Sequence, residues 1–200
     1  MKKKNIPNKI KNLIFLKKKS PVPDFVFSNY KEYQKKKLTF IKKLKKRFKN
    51  KVIIRSAFRD EDRSNLTNAG KFLSVPNIDV KDAVNLDNSI KKVINSYKSK
   101  NIAEEFFIIQ EMITNVKASG VVFAKNSSKG LPSVKINFSS EKKTDLITSG
   151  KKSGKIIFYI YEKKTNAVNK YKSIKEIHLK LNFLLKKFNP LDLEFCIDKK

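Results

Sequence analysis

The chain has 200 residues, 40% of them hydrophobic, which suits one ordinary domain or two small lobes sharing a core and excludes disorder along the whole length. Its formal charge is +29, from 47 Lys and Arg against 18 Asp and Glu. The lysines are spread from Lys2 to Lys200 and only Arg47, Arg55, Arg59 and Arg63 are arginines, so the charge reads as a lysine bias and a nucleic-acid partner is not expected, arginine being the better reader of phosphates and base edges.

The N-terminal stretch MKKKNIPNKIKNLIFLKKK is basic, as signal peptides are, but its longest apolar run is Leu13 to Leu16. No run approaches the roughly 18 to 20 apolar residues of a membrane span, so a cytoplasmic protein with no membrane partner is expected. Ile10, Leu13, Ile14 and Leu16 predict a short helix over 8–18. The prolines of SPVPDFVFS impose an extended path and a short strand from Phe25 to Phe27. Ser28 is then expected to cap a helix reaching about Phe48 and burying Tyr30, Tyr33, Leu38, Ile41 and Leu44. KVIIRSA and FLSV read as strands on either side of a polar loop. Asp87 is expected to cap a helix over 87–98 carrying Ile90, Val93, Ile94 and Tyr97.

Beyond that helix the period changes to two. EEFFIIQEMI, SGVVFAK, SVKINFSS, TDLITSG and KIIFYIY read as strands of a mainly antiparallel sheet, followed by a helix over 173–188 and a last strand, LDLEFCID. The lone cysteine, Cys196, falls in that strand where a small buried residue is expected and excludes an internal disulfide. The expected fold class is α+β in two lobes, 1–100 and 101–200, with a seam near residue 100.

The loop RSAFRDEDRSNLTNAG, over 55–70, holds three of the four arginines and the acidic run Asp60-Glu61-Asp62 between two apolar strands. Polar groups gathered at strand ends are where ligands sit, because the strands hold them rigidly. The plainer reading is a surface loop with Arg55 paired to Asp60 or Asp62. Glycine sharpens the choice: the chain has five, against roughly fourteen at the usual usage of about 7%. Those kept, Gly70, Gly120 and Gly150, should mark places that admit no side chain.

The loop resembles the RSS-x-x-x-ED-x-x-x-x-S-x-AG signature of the nucleotide-binding domain of pyruvate phosphate dikinase and phosphoenolpyruvate synthase, an ATP-grasp fold. SPVPDFVFSNYKEY, IIQEMI, ASGVVFAKN and LDLEFCID are similar to further segments of that family, in order, from about Lys9 to Asp198. The resemblance implies an ATP-binding phosphotransferase (kinase) module that holds ATP and magnesium between two lobes, with catalysis by positioning and charge neutralisation. By the same resemblance Arg55 contacts the phosphates and acts with Glu194 in catalysis. Lys9, Ser56, Glu61, Asp62 and Thr67 join Arg55 around the nucleotide, Gln110 and Met112 lie at a hinge beside adenine, and Asp192 and Glu194 face magnesium from one side of the last strand.

Each assignment has a plainer counterpart. Lys9 is one lysine among many, Gln110 and Met112 could be edge and core residues, and Asp192 and Glu194 an exposed strand face. His178, on the 173–188 helix, is expected to pack or to face solvent. The sequence also departs from the family: PNK stands where it has GGK, Ala57 replaces the second Ser of RSS, and the chain ends before the family's last Gln- and Arg-bearing strand. The resemblance therefore implies an incomplete module of the dikinase type that needs a separate partner bearing a phosphohistidine. The alternatives are a degenerate, non-catalytic remnant of the family and a basic polyanion-binding protein.

Overall fold

A computed structural model describes residues 6–58, 73–97, 99, 101–125, 133–139, 155–160, 172–188 and 190–198. The chain divides into two compact units, Met1–Met112 and Ile113–Lys200. The class is the expected one, helices and antiparallel sheet combined.

In the first unit, α1 (Asn8–Lys17) starts directly after Pro7, whose fixed φ favours a helix start, and buries Ile10 completely. After β1 (Phe25–Asn29) the single helix expected to follow Ser28 is two: α2 (Tyr30–Lys35) and α3 (Lys37–Arg47). The cap is Asn29, whose Oδ1 accepts from the Glu32 N–H at 2.8 Å, while Ser28 belongs to the strand. The break at Lys36 has a physical reason: from Gln34 to Lys37 the chain offers no apolar side chain, so nothing anchors that turn to the core. Leu38, expected to be buried, is 77% exposed. The Asp24 carboxylate ties α1 to α3. Arg47 donates to it from Nη2 at 2.7 Å and Lys17 also pairs with it, which holds its carboxyl well below the usual range.

The strands β2 (Val52–Ala57), β3 (Ser74–Ile78) and β4 (Phe106–Glu111) join β1 in an antiparallel sheet of order β1-β4-β2-β3. Because β4 is central, all of Phe106 to Ile109 is buried, on both faces. This moves the seam. β4 was expected in a second lobe beginning at 101, yet the first unit runs to Met112. A continuous apolar run carries no period from which to assign it. One face packs Val52, Ile54, Phe107 and Ile109 against Tyr33, Leu44, Leu86 and Ile90. The other packs Phe25, Ala57, Phe106 and Ile108 against Ile10 of α1.

The next helix, α4, spans Ala83–Asn95 and is capped by Asp82, whose Oδ1 accepts from the Asn85 N–H at 3.0 Å. Asp87, expected as that cap, lies inside the helix and is buried. Its carboxylate accepts from the Tyr33 hydroxyl at 2.8 Å and pairs with Lys37 at 2.7 Å and Lys91 at 3.0 Å. Burial pushes that carboxyl up, but the two lysines and the hydroxyl outweigh it and hold it below its ordinary value. The edge strand β3 contains Pro76 and, at Asn77, a left-handed residue with φ 64° where its pairing with β2 is irregular. Proline and an irregular ladder are tolerated there because an edge has no further neighbour to pair with.

The second unit is a sheet of order β7-β6-β5-β8, built from β5 (Val116–Lys125), β6 (Ser133–Ser139), β7 (Lys155–Ile160) and β8 (Leu191–Asp198), with α5 (Lys172–Lys187) before its last strand. TDLITSG, Gly70 and Gly150 lie outside the described residues. Val122, Ala124, Val134, Ile136 and Leu191 share one buried face of the sheet, and α5, in contact with β8, buries Leu181, Leu184 and Leu185. Cys196 is half-buried in β8, its thiol pushed up to about 11 by burial and by the charge of Asp198.

Gly120, in the middle of β5, marks a place that admits no side chain, as its retention in a glycine-poor chain implies. A Cβ there would lie 2.2 Å from the Asn137 carbonyl oxygen and 2.8 Å from the Phe138 Cα. Both are backbone atoms of the paired strand, so relief requires β5 and β6 to separate. Gly120→Ala is therefore expected to cost about 2 to 3 kcal/mol or more, measured as a lowered midpoint of chemical denaturation. An unchanged midpoint would show that the two strands have slack.

Candidate functional site

Strand alternation decides which predicted residues share a face. Arg55 in β2 is cross-strand from Ile108 of β4, and Ile53 from Gln110. Arg55 and Gln110 are therefore diagonal neighbours on one face, and the Arg55 Nη1 donates to the Gln110 Oε1 at 3.1 Å. Gln110 is only 6% exposed, so this contact is sheltered. The two residues were singled out 55 positions apart for different roles; the sheet makes them partners. Their face is the one that packs against α1, and half-buried Lys9 is the neighbour of the fully buried Ile10 on that helix. Arg55, Gln110 and Lys9 thus belong to one side of one sheet.

Ser56 alternates to the opposite face and is 2% exposed, opposite Phe107 on the side of the larger core. Glu61, Asp62 and Thr67 lie outside the described residues. Met112 is held twice. Its N–H donates to the Lys51 carbonyl at 3.0 Å, and its thioether accepts from the Asn77 N–H at 3.0 Å. The left-handed Asn77 is what turns that N–H toward the sulfur, and sequence reasoning missed it. The signal was the Pro76-Asn77 pair, a turn dipeptide interrupting a strand pattern.

In the second unit Asp192 and Glu194 occupy alternate positions of β8, both exposed, on the face opposite the buried Leu191. Across β5 they meet Phe123 and Val121 respectively. Partial loss of hydration and the nearby Glu194 charge both raise the Asp192 carboxyl above its ordinary value. Two carboxylates on one strand face are suited to a hard cation. Magnesium takes oxygen ligands and is usually held by one or two carboxylates, with phosphate and water completing its shell. The pair fits that pattern, although among the described residues no group of three or more His, Cys, Asp or Glu gathers into a metal cluster. His178 is half-buried on α5, in keeping with a packing or surface place. Among the described residues no helix is long and apolar enough to cross a membrane.

The sequence matches no family model, and no curated protein matches it. Among solved structures it is similar to D-alanyl-alanine synthetase A from Vibrio cholerae O1 biovar eltor str. N16961. The TM-score is 0.52 and the identity 14%, over 96% of this chain and 51% of that one. The chain therefore spans about half the length of that synthetase. At this identity the likeness establishes the fold, which is of the ATP-grasp type.

It also corrects the family reading. The identification with the nucleotide-binding domain of pyruvate phosphate dikinase and phosphoenolpyruvate synthase does not stand: the chain is similar to a solved D-alanyl-alanine synthetase, and no family model supports the dikinase assignment. The reason is physical. Most of the loop that led the resemblance lies outside the described residues, and the fragments IIQEMI, ASGVVFAKN and LDLEFCID lie mainly in strands, whose alternation sheet pairing requires. They report the fold and not the family. The expectation of a phosphohistidine-bearing partner rested on that family and is not carried further.

The strand geometry makes a direct electrostatic prediction. Replacing Glu194 by Gln removes the negative charge that helps to raise Asp192, so the Asp192 midpoint should fall toward the ordinary carboxylate value in a carboxyl-carbon NMR titration. A midpoint unmoved by Glu194→Gln would show that the two carboxylates do not share a field.

Proposed function

We propose that the chain binds ATP as its magnesium complex, in support of ATP-dependent phosphoryl transfer. The observation that carries this reading is the Arg55–Gln110 contact in the first unit. A guanidinium steered by a neutral amide has a fork of five donors, which can hold Gln110 and also address an oxyanion. The ATP-grasp-type fold supports the reading.

Two features, each read within its own unit, suit a magnesium nucleotide. Arg55, with Lys9 on the same side of its sheet, offers positive charge to phosphate oxygens. Asp192 and Glu194 offer the carboxylates that would hold magnesium, and the bound ion would neutralise the triphosphate and ease attack on its terminal phosphoryl group. Gln110 fixes the guanidinium so that little side-chain freedom is lost on binding. Met112, held through its N–H and its thioether, gives the end of β4 a set backbone course.

Calorimetric titration with ATP tests the proposal. With magnesium present the chain is expected to bind ATP, and Arg55→Ala to weaken binding about tenfold to hundredfold, the cost of one charge-assisted contact. His178→Ala should leave the affinity unchanged. So should Lys35→Glu combined with Lys42→Glu, since both lysines are exposed and solvent screens charges beyond a Debye length of about 10 Å. Unaltered ATP affinity in Arg55→Ala would remove the proposed site, and a large loss on reversing the lysines would assign the binding to the basic surface.

A further inference from the structure

The sheet face that carries Asp192 and Glu194 also carries a cation, and strand register places it. Asp192 of β8 is cross-strand from Phe123 of β5, and Phe123 from Lys135 of β6, so the three stand in one row. All three are exposed. Among the described residues neither Asp192 nor Lys135 is ion-paired. Opposite charges that face each other across neighbouring strands pair directly, but here the bulk of Phe123 stands between them. Lys125, the next residue of β5 on this face, pairs with Ser133 in a row past the last β5–β8 pair, Ala124 with Leu191. Lys135 is thus the lysine that shares a row with a carboxylate.

Two strand separations of about 4.8 Å put the backbones of Asp192 and Lys135 roughly 10 Å apart. A ligand that bridges them must offer a cation to one side and an anion to the other. A bare phosphate would be repelled by the carboxylates, and a bare cation by the ammonium. Magnesium lies about 2.1 Å from each oxygen it holds, and a charge-assisted N–H···O contact is about 2.8 Å long. A chain from the carboxylate through the ion and one phosphate group to the ammonium therefore has a length of the order of the gap.

We propose that Lys135 binds the phosphate whose magnesium ion Asp192 and Glu194 hold, so that the second unit recognises a magnesium-bound phosphate chain without reading the sugar or the base. The proposal rests on the magnesium-holding part of the reading above and adds to it a phosphate-binding residue and a ligand class, inorganic polyphosphate included. A lysine suits the place, because a point charge on a flexible stem follows a phosphate without needing a fixed fork. Phe123 keeps the two charges from closing on each other before the ligand arrives.

The test is calorimetry on the full chain with ATP and with inorganic tripolyphosphate, magnesium present in both. Lys135→Gln is expected to weaken both ligands about tenfold, the loss of one charged contact, and Lys135→Arg, which keeps the charge, to retain most of the affinity. Lys117→Gln should change neither ligand: Lys117 is six residues from Phe123 along β5, roughly 20 Å at about 3.4 Å per residue, beyond a screening length of about 10 Å. Combined with Asp192→Asn and Glu194→Gln, the effect of Lys135→Gln should shrink to less than about twofold, because the ion that sets the phosphate beside it is gone. Unaltered affinity in Lys135→Gln, a loss matched by Lys117→Gln or by Lys135→Arg, a loss for ATP that spares tripolyphosphate, or an effect undiminished without the carboxylates overturns the inference and leaves the ATP-binding reading standing. If the full chain binds tripolyphosphate and not ATP, the ATP-binding reading fails alone; if it binds neither, both fail.

Discussion

Side chains leave a β-strand alternately to its two faces, and both halves of this protein are organised by that constraint. In β2, Val52 and Ile54 take the face of the larger core, so Arg55 must take the other, where Gln110 of β4 lies on the diagonal. In β8, Leu191 takes the buried face, so Asp192 and Glu194 emerge together on the open one. A shift of one residue in either register would bury a guanidinium or a pair of carboxylates in an apolar core, at a cost that no local contact could offset. The apolar residues thus fix the charged ones, and packing and chemistry are one arrangement.

The chain handles its few sheltered charges differently according to task. Asp87 is surrounded by Tyr33, Lys37 and Lys91, a closed set that satisfies it and joins α2, α3 and α4. Asp24 is gripped by Arg47 and Lys17 and joins α1 to α3. In both, positive partners hold the carboxylate below its ordinary value. Asp192 is shifted the other way, because it loses hydration and its neighbour along the strand face is another carboxylate. Depressed carboxylates mark structural junctions here, and the raised one stands apart from them.

Much of this was legible in the sequence. Period-two alternation located β5, β6 and β8, and through β8 the carboxylate pair; the scarcity of glycine pointed to Gly120, and the scarcity of arginine to Arg55. The failures had local causes. Asp87 looked like a helix cap because Asp caps helices, and nothing in the sequence revealed that Tyr33, 54 residues away, would claim it inside the helix. The stretch from Ser28 to about Phe48 looked like one helix because Tyr30, Tyr33, Leu38, Ile41 and Leu44 recur along it, although four positions without an apolar side chain left a turn unanchored. Ser56 was grouped with Arg55 by the resemblance, whereas neighbours along a strand take opposite faces. The family reading failed for the complementary reason: strand patterns constrained by the fold are shared by every lineage that uses it.

The proposal that the Asp192–Glu194 pair holds magnesium for a bound nucleotide is a claim about linkage between ion and ligand. The most direct measurement is ATP affinity across a magnesium titration, made on the intact chain and on the double variant Asp192→Asn, Glu194→Gln. Binding free energies are reciprocal, so if the carboxylates hold the ion, magnesium must strengthen ATP binding through them. The expected result is an ATP affinity that rises with magnesium in the intact chain and rises far less in the double variant. An ATP affinity with the same magnesium dependence in both proteins would contradict the account.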